Sequence, residues 1–380
     1  MAGRTSTSVG GPDGARTHGR QHRGSHLGDA AGLSDIDLLE MYRTVALARG
    51  IDERMWVLNR AGRIPFVISG QGHEGAQVGI VSALRAGHDW MVPYYRSVAA
   101  CLTFGMTARD IMLAQYAKAV DPSSGGRQMP GHYGSRGHNI LSTSSPVATQ
   151  ILHAAGIALA AKLRRTGQVA MTFMGEGASN QGDVHEGLNF VGVHDLPMIL
   201  VVENNGYAIS VRSERELAVP DVASRAAGYG IPGVIVDGTD LLACHRAARE
   251  AVARARSGQG GTLIEAKVTR LTAHSSDDQQ TKYRSAEELE HERTRDPLPK
   301  FRAVLRDAGV LDDAMEATIA AEIRHEVDDA TEYAESQPDP TVDSATWYVY
   351  DEDRPGGAPA FPSPGPADAG SPDGRPQTGR

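Results

Sequence analysis

The sequence has few cysteines and no long apolar run. Only Cys101 and Cys244 occur in 380 residues, and neither stands in a C-x-x-C pair or a zinc-type spacing, so we expect reduced, packed thiols and no disulfide framework. The absence of any run of 18 apolar residues excludes a membrane-spanning helix. A net charge of −9 argues against nucleic-acid binding. The 40% of apolar residues suffices for a core, in one large α/β domain or two small ones.

Both ends of the chain are poor in apolar residues. Residues 1–33 have no aromatic side chain, and residues 354–380 hold seven prolines and six glycines around a single aromatic residue. Such segments cannot bury enough apolar area to offset the entropy of ordering. We therefore predict disordered tails at 1–33 and 351–380 around one domain at 34–350, which begins with Ser34 as the N-cap of a helix.

The first residues also bear on location. They lack the apolar stretch of a secretory signal. They are rich in arginine and poor in acids, as in a mitochondrial presequence, but many glycines together with Asp13 and Asp29 interrupt an amphipathic helix. We therefore expect a bacterial, cytoplasmic protein rather than one of the mitochondrial matrix.

Two polar segments each follow an apolar strand. The strands and segments are Val169–Phe173 with GEGASNQGD at 175–183, and Met198–Val202 with ENNGYAIS at 203–210. A helix from about Asn180 to His194 joins them into a βαβ unit. Parallel strands bring their carboxyl ends to the same sheet edge, where open α/β sheets bind ligands. The sequence therefore places Glu176 and Asn205 close together. A further strand is predicted at Thr262–Val268.

An acid and an amide at one sheet edge are typical of a magnesium-diphosphate site. Magnesium takes an octahedron of oxygens, usually one or two from protein and the rest from phosphate and water. The predicted ligands are Glu176, the Asn205 side-chain carbonyl and a backbone carbonyl near Tyr207. Gly177 and Ala178 present free N–H groups to an anion at the helix start. A lone G-x-G is equally typical of a plain strand-to-helix turn, and the pair of segments is more specific.

The run GEGASNQGDVHEGLNFVGVHDLPMILVVENNGYAIS resembles the thiamine-diphosphate motif of the alpha subunits of 2-oxoacid dehydrogenase complexes. Glu176 replaces the aspartate of many relatives, a form also seen in branched-chain members. Five more segments resemble the family in family order, over roughly residues 34–335: IPFVISGQGHEGAQVG, PYYRS, GGRQMPGHYG, SSPVATQ and TRLTAHSSDD. The resemblance implies the thiamine-diphosphate-binding fold, a mostly parallel sheet with helices on both faces plus helical extensions.

The resemblance also implies cofactor contacts outside the motif. Tyr95 and Arg96 match the pair that holds the diphosphate, and a guanidinium fork suits phosphate. Ser145 matches a cofactor-contacting serine, and Val147 stands where the chain faces the thiamine rings. The same loop in branched-chain relatives holds a monovalent cation, here potassium, through positions matching Ser144, Pro146, Thr149 and Gln150. A capped helix start is the alternative interpretation of this loop.

His274, in the polar loop LTAHSSDDQQ, is the catalytic candidate. A neutral imidazole exchanges protons near neutral pH, although a lone loop histidine is usually exposed and idle. It matches the family's active-site histidine, which also contacts the cofactor. Ser275 fills a position that is phosphorylated in animal relatives, and Ala273 replaces a second histidine found in many of them. His73 and His132 have no role that the sequence assigns.

The activity implied is oxidative decarboxylation of a 2-oxoacid, with acyl transfer to the lipoyl group of a separate acyltransferase. The resemblance further implies that the cofactor lies between this alpha chain and a beta subunit in an alpha2-beta2 heterotetramer. No second thiamine-type domain is found after Tyr207. We therefore expect the chain to be inactive alone.

The substrate prediction depends on IPFVISGQG at 64–72, which places Phe66, Val67 and Ile68 on the approach to the thiazolium. Tyr133 is a further substrate candidate. Pyruvate-type relatives commonly have histidine where Ile68 stands, and an apolar residue favours a branched aliphatic chain. We therefore predict the alpha subunit of a branched-chain 2-oxoacid dehydrogenase, with a pyruvate or acetoin dehydrogenase as the alternative.

Two other classes of protein compete with this prediction. An NAD-dependent Rossmann protein needs G-x-G-x-x-G and an acid about twenty residues later, whereas GEGASN puts a carboxylate where the pyrophosphate would sit. A non-catalytic binding subunit is the other, and it requires that Glu176, Asn205 or His274 fail to reach a common site.

Overall fold

The computed structural model describes residues 27–349. Within that range the β-strands are β1 (Trp90–Val92), β2 (Ala170–Gly175), β3 (Met198–Asn204), β4 (Tyr207–Ala208), β5 (Val211–Arg212), β6 (Gly233–Asp237) and β7 (Thr262–Lys267). The α-helices of the same part of the chain are α1 (Asp35–Arg60), α2 (Glu74–Val81), α3 (Val98–Thr103), α4 (Ala108–Gln115), α5 (Thr149–Arg164), α6 (Gly182–Val193), α7 (Leu241–Arg256), α8 (Ala286–Thr294), α9 (Pro297–Asp307) and α10 (Asp313–Ser336).

Five strands form one parallel sheet in the order β1-β2-β3-β7-β6, and β4 with β5 makes a small antiparallel pair. Strands β2 and β3 pair in parallel up to Gly175 opposite Glu203, with α6 between them in sequence. This confirms the predicted βαβ unit. The polar segments that follow the two strands consequently start at the same level of the sheet.

Helices cover both faces of this sheet. Met171, Phe173 and Ile199 point into a core shared with α2, α4 and α7, whereas Ala170 and Met174 point into a second core formed with α5 and α6. The alternation follows from the two-residue period of a strand. Because both faces are buried, the strands are almost continuously apolar, as expected of a parallel sheet.

The helical extensions surround α1. Its N-cap is Ser34, whose side chain accepts from the backbone N–H of Asp37 while Asp37 accepts from Ser34 in return, a reciprocal capping box. Leu38 and Val45 are fully buried on one face, and Leu38 packs in a cluster with Phe301 of α9. Helix α10 packs against α1 and α4.

The described structure begins before the predicted boundary at residue 34. A 3-10 helix spans Asp29–Ala31, Ala31 is fully buried, and Leu27 and Leu33 pack against the core. These apolar contacts connect the segment to the cluster around α1. Residues 1–26 of the first predicted tail and all of the second, residues 351–380, lie outside the described residues.

The two cysteines lie in the interior of this fold. Both cysteines are buried free thiols, as predicted, and burial raises the pKa of each. Among residues 27–349, the helices are all too short or too polar to cross a membrane.

Candidate active site

The carboxyl ends of four parallel strands meet around a cavity of about 430 Å³, a size typical of sites for small molecules and cofactors. Strands β1, β2, β3 and β7 lead into the segments that carry Arg96, Glu176, Asn205 and His274. The predicted site residues that line the cavity are Phe66, Ile68, Tyr95, Arg96, Ser144, Ser145, Val147, Gln150, Glu176, Gly177, Ala178, Asn205, Tyr207 and His274. Residues that are distant in sequence are therefore neighbours here.

Two buried oxygens at this cavity, Glu176 Oε1 and Asn205 Oδ1, have no hydrogen-bond partner among the described residues. The other carboxylate oxygen of Glu176 accepts a 3.2 Å hydrogen bond from the backbone N–H of Asn205. Burial raises the pKa of Glu176 to about 7, because the carboxylate has lost its hydration. Buried oxygens without partners cost free energy, and magnesium takes oxygens of these types. The residues therefore fit the predicted metal.

The turn after β2 differs from the predicted helix start. Gly177 and Ala178 lie in a 3-10 helix, Glu176–Asn180, and α6 begins only after Gln181, whose φ of −75° and ψ of 144° are extended. The two small residues therefore belong to a separate turn, not to the first turn of α6. A Cβ on Gly177 would lie 2.5 Å from the Cβ of Ala208, so only glycine fits there.

Tyr95, Arg96 and His274 form a connected group on the cavity wall. Arg96 is buried, and its guanidinium donates to the carbonyl of Ser69 and, over 3.3 Å, to both Nδ1 and the carbonyl of His274. Its Cζ lies 5.5 Å from the centre of the Tyr95 ring. These acceptors are neutral, so a bound anion such as a diphosphate would balance the buried positive charge.

The ring of His274 is neutral at physiological pH. Burial, with the charges of Arg96 and Arg270, lowers its pKa to about 4. Because a guanidinium only donates, Nδ1 of His274 accepts and Nε2 carries the proton. Asp278 anchors the loop by accepting from the His274 backbone N–H over 2.8 Å and from the Tyr283 hydroxyl over 2.5 Å. His274 is thus a partly buried, oriented imidazole rather than an idle surface residue.

The SSPVATQ loop gathers oxygens beside the cavity. Ser144 Oγ lies 2.7 Å from Thr149 Oγ1, and both hydroxyls bond to the carbonyl of Pro146. Gln150 donates to a backbone carbonyl of β2, while its Oε1 is buried without a partner in the described chain. Helix α5 starts from Ala148, with φ 76° and no side-chain cap bond. The alternative interpretation, a capped helix start, is therefore wrong, and these oxygens fit a monovalent cation.

A sequence profile for the family described as "Dehydrogenase E1 component" matches residues 42–343. The chain belongs to this family. The match spans all the strands that surround the cavity. Family membership confirms the resemblance seen in the sequence, and the parallel sheet between two helical layers confirms the predicted fold class. The Rossmann alternative is excluded.

Several curated proteins are similar to this E1 chain. A Bacillus subtilis (strain 168) protein, 2-oxoisovalerate dehydrogenase subunit alpha, is 52% identical over 321 residues, which cover 84% of this chain and 97% of that protein. The 3-methyl-2-oxobutanoate dehydrogenase subunit alpha of Mycobacterium tuberculosis (strain ATCC 25618 / H37Rv) is 36% identical over 91% of this chain and 89% of its own length. The human mitochondrial 2-oxoisovalerate dehydrogenase subunit alpha is 35% identical over 83% of this chain and 71% of its own length.

Two substrate residues predicted for this E1 chain do not reach the cavity. Val67 is fully buried and its backbone N–H donates to Ser276 over 3.2 Å, because alternate residues of the extended segment point to opposite sides and only Phe66 and Ile68 face the cavity. Tyr133 is also a core residue, and its hydroxyl accepts a 2.9 Å hydrogen bond from Gln115. Pro146 and Thr149, two of the predicted potassium ligands, also lie outside the cavity wall, in the SSPVATQ loop.

The E1 cavity also includes residues that sequence reasoning missed. His132, next to Tyr133, is one of them: its Nδ1 donates to the carbonyl of Met129 over 2.8 Å, which leaves Nε2 to accept from Ser145 Oγ over 3.0 Å. Tyr94 is another, and only its position beside Tyr95 in PYYRS pointed to it. The sequence did not indicate whether the His132 or the Tyr133 ring faces the cavity, because that depends on how the loop packs.

Proposed function

We propose that this E1 chain is the alpha subunit of a branched-chain 2-oxoacid dehydrogenase, which uses thiamine diphosphate and magnesium to decarboxylate a 2-oxoacid oxidatively. The observation that carries the proposal is the presence, in one cavity, of the buried guanidinium of Arg96 and of two metal-type oxygens, on Glu176 and Asn205, that have no hydrogen-bond partner within residues 27–349. The names of the similar B. subtilis, M. tuberculosis and human proteins support the substrate class.

The charge of each side chain suits it to a different role in this proposed reaction. Thiamine diphosphate would supply the nucleophilic carbon and the electron sink that decarboxylation of a 2-oxoacid requires. Glu176 and Asn205 would hold magnesium, and Arg96 would hold the phosphates by charge and by its fork of donors. His274, neutral and with a proton on Nε2, would donate to a developing oxyanion or exchange a proton during acyl transfer.

The open side of the cavity supports a requirement for a partner chain. Met129, Val147 and Ile209 line it, yet they are 52%, 39% and 55% exposed. Apolar side chains at the mouth of a site favour coverage by a second protein surface. We assign that role to a beta subunit in an alpha2-beta2 assembly, and we assign the acyl group to the lipoyl group of an acyltransferase. The cytoplasmic location remains a prediction.

The SSPVATQ loop is proposed to bind potassium. If the hydroxyl of Thr149 is a ligand, Thr149→Val removes it with little change in shape. We expect potassium at a hundredfold excess over its Kd to stabilise the unaltered assembly by about 2.7 kcal/mol relative to its absence, and Thr149→Val to lose most of this gain. The measurement is the melting temperature in potassium chloride against choline chloride.

The matched control for the potassium experiment is Thr318→Val. Thr318 also donates its hydroxyl to a backbone carbonyl, in the exposed part of α10, and its replacement should leave the potassium effect intact. Equal potassium stabilisation of the Thr149→Val assembly would show that the loop hydroxyls serve only to shape the turn.

The substrate preference tests the proposed function directly. Each buried methylene contributes about 0.8 kcal/mol, so the two or three extra carbons of 3-methyl-2-oxobutanoate and 4-methyl-2-oxopentanoate should raise kcat/KM about ten- to a hundredfold over pyruvate. The measurement uses the reconstituted alpha and beta chains. Ile68→His should narrow this preference, whereas Ile36→His, at an exposed site of α1, should not. A clear preference of the unaltered assembly for pyruvate would favour the alternative, a pyruvate dehydrogenase.

A further inference from the structure

A buried polar cluster lies directly behind the cavity wall. One carboxylate oxygen, Glu203 Oε2, is the acceptor for the Tyr94 hydroxyl at 2.6 Å, His73 Nδ1 at 2.6 Å and Gln77 Nε2 at 3.2 Å. All four side chains are buried, with exposures of 4% or less. Sequence reasoning assigned none of them to the site.

This cluster joins the two parts of the site that would hold the cofactor. Glu203 is near the end of β3, two residues before Asn205. On the other side, Tyr94 directly precedes Tyr95 and Arg96, and Gln77 also donates to the backbone carbonyl of Arg96 over 3.1 Å. A single carboxylate oxygen therefore connects the strand end that leads to the metal ligand with the loop that leads to the phosphate-binding guanidinium.

A packing role alone does not account for a charged group at this place. Removing a carboxylate from water is costly, and apolar residues of similar volume often serve a core equally well or better. Glu203 Oε1 has no partner within residues 27–349, so the cost is only partly offset. The carboxylate fixes the relative positions of two segments, because one of its oxygens accepts from three donors that belong to them.

We propose that Glu203 is a positioning residue that, through Tyr94 and Gln77, sets the spacing between the magnesium ligand Asn205 and the phosphate-binding Arg96. This inference rests on the proposed function. It predicts that disrupting the cluster weakens the binding of a ligand that needs both the magnesium at Asn205 and the guanidinium of Arg96. Two linked phosphates would depend on both the proposed magnesium ligand Asn205 and Arg96, whereas a single phosphate would depend on only one of them.

The test is Tyr94→Phe in the full chain assembled with its beta subunit. The change removes the hydroxyl and keeps the ring in the cavity wall. In the presence of magnesium, we expect the Kd of thiamine diphosphate to rise about tenfold, equivalent to about 1.4 kcal/mol, and the Kd of thiamine monophosphate to change less than about twofold. Calorimetry measures the first, and competition against thiamine diphosphate measures the second.

Two further variants keep the test decisive if Tyr94→Phe does not assemble. Gln77→Met removes the donor shared by Glu203 and the Arg96 carbonyl and should show the same diphosphate-selective loss. Glu203→Gln retains one acceptor oxygen and should restore part of the affinity that Glu203→Leu loses. The matched control is Tyr116→Phe. The Tyr116 hydroxyl donates a 2.6 Å hydrogen bond to Glu335, and Tyr116 is not part of the cavity wall. Both affinities should therefore stay unchanged in this variant.

The outcomes separate the inference from the function on which it rests. Equal weakening of the diphosphate and the monophosphate, or no weakening beyond that of Tyr116→Phe, would overturn the positioning role while leaving the cofactor site in place. Failure of the unaltered assembly to bind thiamine diphosphate would overturn the proposed function and this inference with it.

Discussion

Glu176→Ala is expected to abolish retention of thiamine diphosphate by the assembled alpha and beta chains while the sheet stays folded. The carboxylate is the charged ligand of the proposed magnesium site, and one of its oxygens has no partner among the described residues. Loss of a group that merely supports a metal ligand costs about ten- to a hundredfold in affinity, so loss of the ligand itself should cost at least about a hundredfold. Calorimetry with magnesium present and absent measures this effect.

An exposed carboxylate outside the cavity wall provides the control for this experiment. Glu214 lies in the exposed 3-10 helix Ser213–Arg215, and Glu214→Ala should leave cofactor binding unchanged. The circular dichroism spectrum and melting curve of the unliganded Glu176→Ala chain should stay close to those of the unaltered chain, because Glu176 lies beyond the paired strand residues. Unchanged affinity in Glu176→Ala would remove the metal site from the proposal.

His274→Ala is expected to bind the cofactor but to lose overall activity by about 10²- to 10⁴-fold, the usual contribution of a positioned proton-transfer group. The imidazole is held neutral by burial and by Arg96, and Arg96 orients it through Nδ1. If His274 acts during acyl transfer, lipoyl acylation should fall much more than decarboxylation coupled to an artificial electron acceptor. Mass spectrometry of the lipoyl domain and a dye-linked assay measure the two steps.

His325→Ala is the matched control for the histidine experiment, since His325 is exposed on α10 and should contribute to neither step. Full lipoyl acylation by the His274→Ala assembly would mean that His274 only completes the loop. Parallel loss of both steps would instead assign it to decarboxylation or cofactor orientation.

Short-range signals account for what the sequence predicted well. The apolar runs of β2 and β3, with a helix-length segment between them, specify a βαβ unit, and this connectivity alone places Glu176 and Asn205 at one sheet edge. The reciprocal cap of α1 at Ser34 is equally local. Each of these features depends on residues within one element or on the connection of two, so the chain itself determines them.

Positions in irregular segments were predicted less well. Gly177 and Ala178 occupy a separate 3-10 helix because the turn after β2 packs against Ala208. Tyr133 is buried while its neighbour His132 faces the cavity, and periodicity does not decide such a choice where no regular element sets the direction of side chains. Val67 is a different case, because two-residue alternation separates it from Phe66 and Ile68, and only the packing of the segment decides which side faces the cavity.

By itself, the sequence determined the family, the βαβ core and the residue types at the carboxyl edge of the sheet, because motifs and strand order are encoded along the chain. Only the tertiary structure decided how separate segments meet. The contact of Arg96 with His274 and the convergence of His73, Gln77 and Tyr94 on Glu203 join residues from different strands, loops and helices. Their distances follow from how both helical layers pack on the sheet, and packing depends on the whole set of buried side chains at once.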